Sequence, residues 1–178
     1  MAKKRGRESA RDMIYSMGAV LVTVLIILGV TYRSHHQMTN SVDYQSAIAS
    51  ARSQSSWPIL TPTNIPKSFK VTQARFEPES YGQAGTTRWY LGYQTAHGQY
   101  VSLWQSDGPT PAIVAAASNG GNCSSTVALA GTKWTTCLQT KPLARALYRV
   151  SGKQTIVVSG TASQQELEDF AESLRVAK

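Results

Sequence analysis

Residues 13–32, MIYSMGAVLVTVLIILGVTY, run for twenty positions without a formal charge. As a helix rising about 1.5 Å per residue, such a stretch covers about 30 Å, the hydrocarbon thickness of a bilayer. A helix on a soluble core carries a polar stripe at a period near 3.6, and none is visible here. Tyr15 and Tyr32 lie near the two ends, where amphipathic rings suit the headgroup level. The segment predicts a single transmembrane helix, residues 13–32.

Lys3, Lys4, Arg5, Arg7 and Arg11 precede that segment, whereas only Arg33 and Arg52 follow within twenty residues. The positive-inside rule then predicts a basic cytoplasmic tail, residues 1–12, with everything after the span outside the cell membrane. The basic run could also be a nucleic-acid patch. A tethered tail of twelve residues is a poor recognition module, and topogenic charge with attraction to anionic lipid accounts for it. The formal charge of +8 divides into +3 in residues 1–12, +1 in residues 33–56 and +4 in residues 57–178. The part that can fold is only mildly basic, so membrane lipid is the expected partner of the tail and no nucleic acid is expected. A cleaved signal peptide is the competing reading. The apolar stretch exceeds the usual 7–15 residues, the first Ala-x-Ala candidates are Ala47-Ile48-Ala49 and Ala49-Ser50-Ala51, and no Cys follows for lipid attachment. A retained signal anchor fits better.

Export makes the two cysteines, Cys123 and Cys137, interpretable as one disulfide, the expected state in an oxidising compartment. Closing a loop of about fifteen residues stabilises a fold by roughly 3 kcal/mol on the chain-entropy account. The alternative, a redox or metal-binding pair, lacks Cys-x-x-Cys spacing and a nearby His.

Residues 33–56 read as a stalk with a short helix over 42–53, because Tyr44, Ile48 and Ala51 recur at i, i+4 and i+7. His35 and His36, adjacent in the stalk, point apart in any regular structure and read as solvated. Residues 57–178 form the extracytoplasmic domain. Pro58, Pro62 and Pro66 open it with an extended segment. KVTQARFE alternates Val71, Gln73 and Arg75 against Thr72, Ala74 and Phe76, a strand, and a Gly-rich loop follows over 81–85.

The clearest hairpin is TRWYLGYQ, TAHG, QYVSLWQS. A three-residue loop at Ala96-His97-Gly98 with Gly98 left-handed pairs residues whose numbers sum to 194, so that Tyr93 meets Val101 and Leu91 meets Leu103. Trp89, Leu91, Tyr93, Val101 and Leu103 then share the core face. Arg88, Tyr90, Gln94, Tyr100, Ser102 and Trp104 share the other. A face both aromatic and polar suits a ligand groove or partner surface, with Arg88, Tyr90, Gln94, Tyr100 and Trp104 as its candidate residues. The plainer reading has a helix covering it. His97 needs only turn chemistry.

A helix over 109–119 and hairpins at 125–136, turning near Ala130-Gly131, and at 144–160, turning at Ser-Gly-Lys, complete the middle of the chain. Cys123 and Cys137 fall close to opposite each other at the open end of the second hairpin. Ser163-Gln-Gln-Glu166 is a capping box, followed by Leu167, Phe170, Ala171 and Leu174 as the buried stripe of a last helix. Glu166, Glu168 and Asp169 near its start and Arg175 and Lys178 at its end match the helix dipole. The fold class is α+β: an N-terminal transmembrane helix and one extracytoplasmic domain, an antiparallel sheet of hairpins packed by helices.

The order of these features resembles the actinobacterial single-pass membrane-protein family called domain of unknown function 4245. The resemblance is carried by the basic start and span, by Trp89-x-Leu91-Gly92-Tyr93 leading through a Gly turn to Tyr100-Val101, by Gln105-Ser106, by Gly131 with Trp134, and by Gly160-Thr161-Ala162-Ser163 leading to Glu166-Leu167. It runs from the anchor to the last helix. Trp104 and the Cys pair depart from the family pattern. The family has no established activity, so the resemblance implies an envelope protein and no catalytic residues.

No Walker loop, dinucleotide fingerprint, Gly-x-Ser-x-Gly or His-x-x-x-His occurs in the chain. A hydrolase would have to recruit His97 with Asp107, which sits in ordinary turn composition. No catalytic residue, metal or cofactor is expected. Two readings remain: an anchored accessory subunit docking on a larger membrane complex (a transporter, cell-wall machinery or respiratory assembly), or a module holding a small-molecule, glycan, lipid or peptide ligand on Tyr90, Tyr100 and Trp104.

Overall fold

The computed structural model describes residues 13–25, 44–79, 86–140 and 143–177. The chain forms two compact units, residues 1–38 and 39–178. In the first, residues 13–25 are helical (α1). Its apolar side chains are exposed all round, Met13 by 68% and Val24 by 47%. The hydroxyls of Ser16 and Thr23 donate back to the carbonyls of Met13 (3.0 Å) and Ala19 (2.9 Å), which leaves the helix surface with little polar character. Among the described residues no helix is long and apolar enough to cross a membrane. Residues 26–32 of the expected span lie outside the described residues, as do the tail 1–12, the histidines of the stalk and the Gly-rich loop 81–85.

The second unit is α+β. Its elements run α2 (Tyr44–Gln54), β1 (Leu60–Pro62), β2 (Lys70–Glu77), β3 (Arg88–Gln94), β4 (Tyr100–Ser106), α3 (Thr110–Ala117), β5 (Asn122–Leu129), β6 (Thr132–Thr140), β7 (Leu143–Ser151), β8 (Gln154–Gly160), α4 (Gln164–Ser173) and β9 (Leu174–Val176). Seven strands form one antiparallel sheet in the order β2-β3-β4-β8-β7-β6-β5. It is two meanders joined edge to edge. β2-β3-β4 runs one way out, the chain crosses one face as α3, and β5-β6-β7-β8 returns until β8 lies against β4.

The predicted registers are largely those observed. Tyr93 pairs with Val101 and Leu91 with Leu103, and Thr95 and Gln99 close the three-residue loop, with Gly98 at φ 74°. Ala130 and Gly131 take φ 45° and 75° as the two-residue turn between β5 and β6. Cys123 pairs with Cys137, and the disulfide joins them.

Three local expectations change. A bulge between Val71 and Gln73 resets the alternation of β2, so Val71 opposes Tyr93 and packs with Ala74 and Phe76 on the core face instead of with Arg75. The third hairpin turns on two residues, Gly152-Lys153, because Ser151 still pairs with Gln154. The last helix stops at Ser173: Leu174 is extended (φ −64°, ψ 128°) and leads into β9, which pairs with β1 in a separate two-stranded sheet. The local periodicity of Leu174 fitted a helix, but the unpaired edge of Leu60–Pro62 offered it backbone partners that a helix end lacks. Leu174 is buried as the stripe required, and Arg175 donates to the Glu172 and Leu174 carbonyls at 2.7 Å, doing at the helix end what the dipole argument asked of it.

The main core lies on the face carrying Trp89, Leu91, Tyr93, Val101, Leu103, Leu147, Ile156 and Val158, covered by Leu167, Phe170 and Ala171 of α4 and by Ile48 and Ala51 of α2. α2, read from sequence as part of the stalk, thus contributes two buried side chains to this core. Each fully buried side chain of this size stabilises by about 1.5–3 kcal/mol. A polar residue also sits inside that core. Gln105 is fully buried and ties the proline-rich segment to the sheet: Leu60 N–H donates to its Oε1 (3.0 Å), and its Nε2 donates to the Pro58 carbonyl (2.6 Å) and to Gln154 Oε1 (2.7 Å). The Trp89 indole donates to the Leu60 carbonyl beside it (3.0 Å).

Candidate functional site

The opposite face is the one that sequence alternation marked as aromatic and polar. α3 crosses it over β8 and β7, where Val114 packs in a second, smaller cluster with Val157, Ala146 and Cys137, and Trp104, Tyr148 and Cys123 rim it. The remainder, on β2, β3 and β4, is a strip of rings and cations.

The strip is assembled by register. Tyr90 pairs with Trp104 on one side and with Arg75 on the other, and Arg88 pairs with Glu77. Tyr90 and Trp104 therefore meet edge to face, 5.0 Å between centroids at 86°. Arg88 lies over the Trp104 ring at 5.5 Å and Arg75 over the Tyr90 ring at 6.0 Å. Glu77 holds both cations: Arg75 at 2.7 Å, and Arg88 through a fork of Nε at 2.8 Å with Nη2. The Trp104 indole donates to Ser102 Oγ (3.0 Å), which donates in turn to the Ser159 carbonyl of β8 (3.0 Å).

Tyr100 reaches this group from the next row. Its hydroxyl hydrogen-bonds the Tyr90 hydroxyl, and it can lie flat only because position 92 is glycine; a Cβ there would collide with it. Burial, with the bond and charge of Tyr100 in second place, pushes the Tyr90 hydroxyl well above the usual phenol range, so Tyr90 stays neutral at any physiological pH. Gln94 pairs with Tyr100 at the strand end and is half-buried.

The five residues singled out from sequence thus share one face, and four of them touch one another. Arg75 and Glu77 belong with them and were not singled out. The signal was present: Arg75 and Glu77 alternate on one side of β2, and only the pairing of β2 with β3 shows that this is the side of Tyr90. The strip is held rigid and remains partly open, with the Arg75 and Arg88 side chains 52% and 35% exposed.

Two hollows among the described residues lie away from the strip. One, about 280 Å³, has Ile65, Phe69 and Phe170 as its apolar floor and His97, Glu166 and Asp169 on its rim. Hydrogen bonds from the Ser163 N–H and hydroxyl hold the Glu166 carboxyl below its usual range, with a smaller contribution from His97. The other, about 410 Å³, lies between α4 and the β5–β6 end of the sheet, beside Ser125, Leu138, Arg145 and Glu168. On the core face, Arg149 stacks over Trp134 at 5.2 Å, and burial lowers its affinity for its proton. Among the described residues, no three His, Cys, Asp or Glu side chains gather as a metal-binding group.

Over residues 5–174 the chain matches the family described as protein of unknown function (DUF4245), nearly its full length, and it belongs to that family. No curated protein matches it.

Proposed function

We propose that this member of the family is a non-catalytic, membrane-anchored envelope protein whose extracytoplasmic domain docks, as an accessory subunit, on a larger membrane complex. The observation that carries the docking is the strip of Arg75, Arg88, Tyr90 and Trp104. Its composition is that of interface hot spots, where Arg, Trp and Tyr dominate. Neither of the hollows described above is lined by its residues, whereas small ligands take concave sites. Its cations are already stacked and forked to Glu77, so little side-chain freedom remains to be lost on association.

The anchor rests on the sequence of residues 13–32 and on an apolar helix, described over 13–25, whose side chains face outward on every side. Such a surface requires lipid or protein around it. The excess of basic residues before it supports a cytoplasmic N-terminus. An exported domain also suits the Cys123–Cys137 disulfide. As the sequence resemblance implies, the setting is an actinobacterial envelope.

The test is affinity purification of the tagged full-length chain from native membranes in mild detergent, with mass spectrometry of what accompanies it. A partner in fixed stoichiometry, lost on Arg75→Ala or Trp104→Ala with the circular dichroism spectrum kept, is the expected result. Arg75 is half-exposed, so its truncation spares the fold where Trp104→Ala perturbs packing. Recovery of the chain alone, or a partner indifferent to both substitutions, overturns the docking role. Extraction of the chain by alkaline carbonate overturns the anchor.

A ligand-binding module is a second reading, and the hollow beside His97 favours it over the aromatic strip. There an apolar floor meets His97, Glu166 and Asp169, the mixture of apolar lining and few polar groups that small-molecule sites show. Saturable binding of a small molecule that His97→Ala abolishes would move the assignment to that site.

A further inference from the structure

The two outer strands of the seven-stranded sheet are β2 and β5. An outer strand presents a row of free N–H and C=O groups, and folds blunt that hazard with charges, prolines, bulges or covering elements. β2 is blunted: it carries Lys70, Arg75 and Glu77 and bears a bulge. β5, NCSSTVAL, carries no charge and no proline, and is exposed at most of its positions. Its bulge, between Cys123 and Ser125, leaves Ser125–Leu129 regular.

The turn fixes which groups of β5 are free. A two-residue turn with positive φ at Ala130 and Gly131 makes Leu129–Thr132 a hydrogen-bonded pair. Alternation then makes Val127–Trp134 and Ser125–Thr136 the next bonded pairs. Ala128 and Thr126 are left with N–H and C=O directed away from β6, toward a side where no strand lies among the described residues.

We infer that this edge is an interface for a second copy of the chain, the two β5 strands pairing antiparallel about a two-fold axis at Val127. Such a pairing sets Thr126 opposite Ala128 of the other copy, and the reverse, so every outward N–H and C=O of the two residues finds a partner. Val127, half-buried and facing the main core, meets its counterpart on that face, and small side chains meet on the other. Charge permits the contact here. The domain is net basic, but Lys133 sits one strand in, opposite Ala128, and Arg145 and Glu168, of opposite sign, line the hollow beside Thr126 and Val127. In the paired sheet the two Lys133 residues stand three strand spacings apart, about 14 Å, well beyond the Debye length of about 8 Å in physiological salt. Two copies of β2 would instead bring Arg75 and Glu77 of each copy to the seam. The inference stands on the sheet edge and is independent of the docking strip, which lies toward β2.

The test places one thiol at the seam of the full-length chain. Its two native cysteines are joined to each other, so Thr126→Cys carries a single free thiol. A short bismaleimide in cells expressing the chain is expected to give a covalent species of twice the monomer mass, whereas Gln73→Cys on β2 is expected to give none. Thr126→Pro removes an outward N–H that β6 does not use, and an edge strand tolerates it. It should turn the purified dimer into monomer with the circular dichroism spectrum kept, and Thr126→Lys should do the same by opposing like charges. No cross-link at position 126, equal cross-linking from position 73, a dimer that survives both substitutions, or a cross-link to a different polypeptide each overturns the assignment.

Discussion

The hydroxyl of Tyr100 meets the hydroxyl of Tyr90 across Gly92, so a ring on β4 lies flat over the backbone of β3. Two glycines make room for Tyr100, and they should respond differently to substitution. At Gly92 a Cβ would meet the far end of the Tyr100 side chain, which can swing away. Gly92→Ala should therefore cost about 1–2 kcal/mol, the scale of one hydrogen bond and some packing. Tyr100→Phe should add little to it. At Gly160 a Cβ would strike the Tyr100 carbonyl, which is backbone. Strands β4 and β8 cannot separate locally, so Gly160→Ala should cost about 3 kcal/mol or more. Urea unfolding of the single and double variants reads both; equal costs at the two glycines would contradict the distinction.

Gln105 should behave as a structural clamp. Gln105→Leu keeps the volume but strands the Leu60 N–H in the core and takes the donor from the partly buried Pro58 and Gln154 oxygens. Each orphaned buried group costs about 1–3 kcal/mol, so a loss of about 3 kcal/mol is expected in chemical denaturation. A loss below about 1 kcal/mol would mean that the segment is held by its apolar contacts alone.

The Cys123–Cys137 disulfide closes a separation of 14 residues across the base of the β5–β6 hairpin. Replacing both cysteines by alanine should lower stability by about 3 kcal/mol through the unfolded chain. Reduction of the native protein should shift its denaturation midpoint in the same direction, and the double variant should be indifferent to reductant. An unshifted midpoint would place the constraint elsewhere.

The capping box at the start of α4 should give a pH-dependent term of known sign. The Ser163 hydroxyl accepts from the Glu166 N–H (3.2 Å), and Glu166 Oε2 accepts from the Ser163 N–H (2.9 Å). Ser163→Ala should cost about 1 kcal/mol at neutral pH. Because the folded Glu166 carboxyl is depressed, its contribution is complete above the ordinary carboxylate value of about 4.3. It is lost as pH falls through the lower folded value. Denaturation of wild type and Glu166→Gln from pH 7 to pH 2 should show a difference that shrinks only below about pH 4. A pH-independent difference would show that the carboxylate charge takes no part.

How far the strip was legible is clear from its parts. Arg88, Tyr90, Gln94, Tyr100 and Trp104 follow from one hairpin register, because a three-residue loop and a two-residue period leave no freedom about which side chains share a face. Arg75 and Glu77 come from a strand joined by a loop whose pairing has no local signature. The position of α3 over β7 and β8 depends on β8 lying beside β4, some fifty residues away in sequence.

Taken alone, the sequence determined much of what depends on contacts within about a dozen residues: the register of the β3–β4 hairpin, the capping box, the disulfide partners and the uncharged stretch of residues 13–32. Even there, a bulge at Val71 and the extended end at Leu174 answer to partners far along the chain. Only the tertiary structure decided which strands become edges, that Gln105 clamps a segment 45 residues away, and that no further strand among the described residues pairs with β5. Local bonding is fixed by covalent spacing, whereas an edge is defined by what fails to arrive from elsewhere in the chain, and no residue's neighbours in sequence record that.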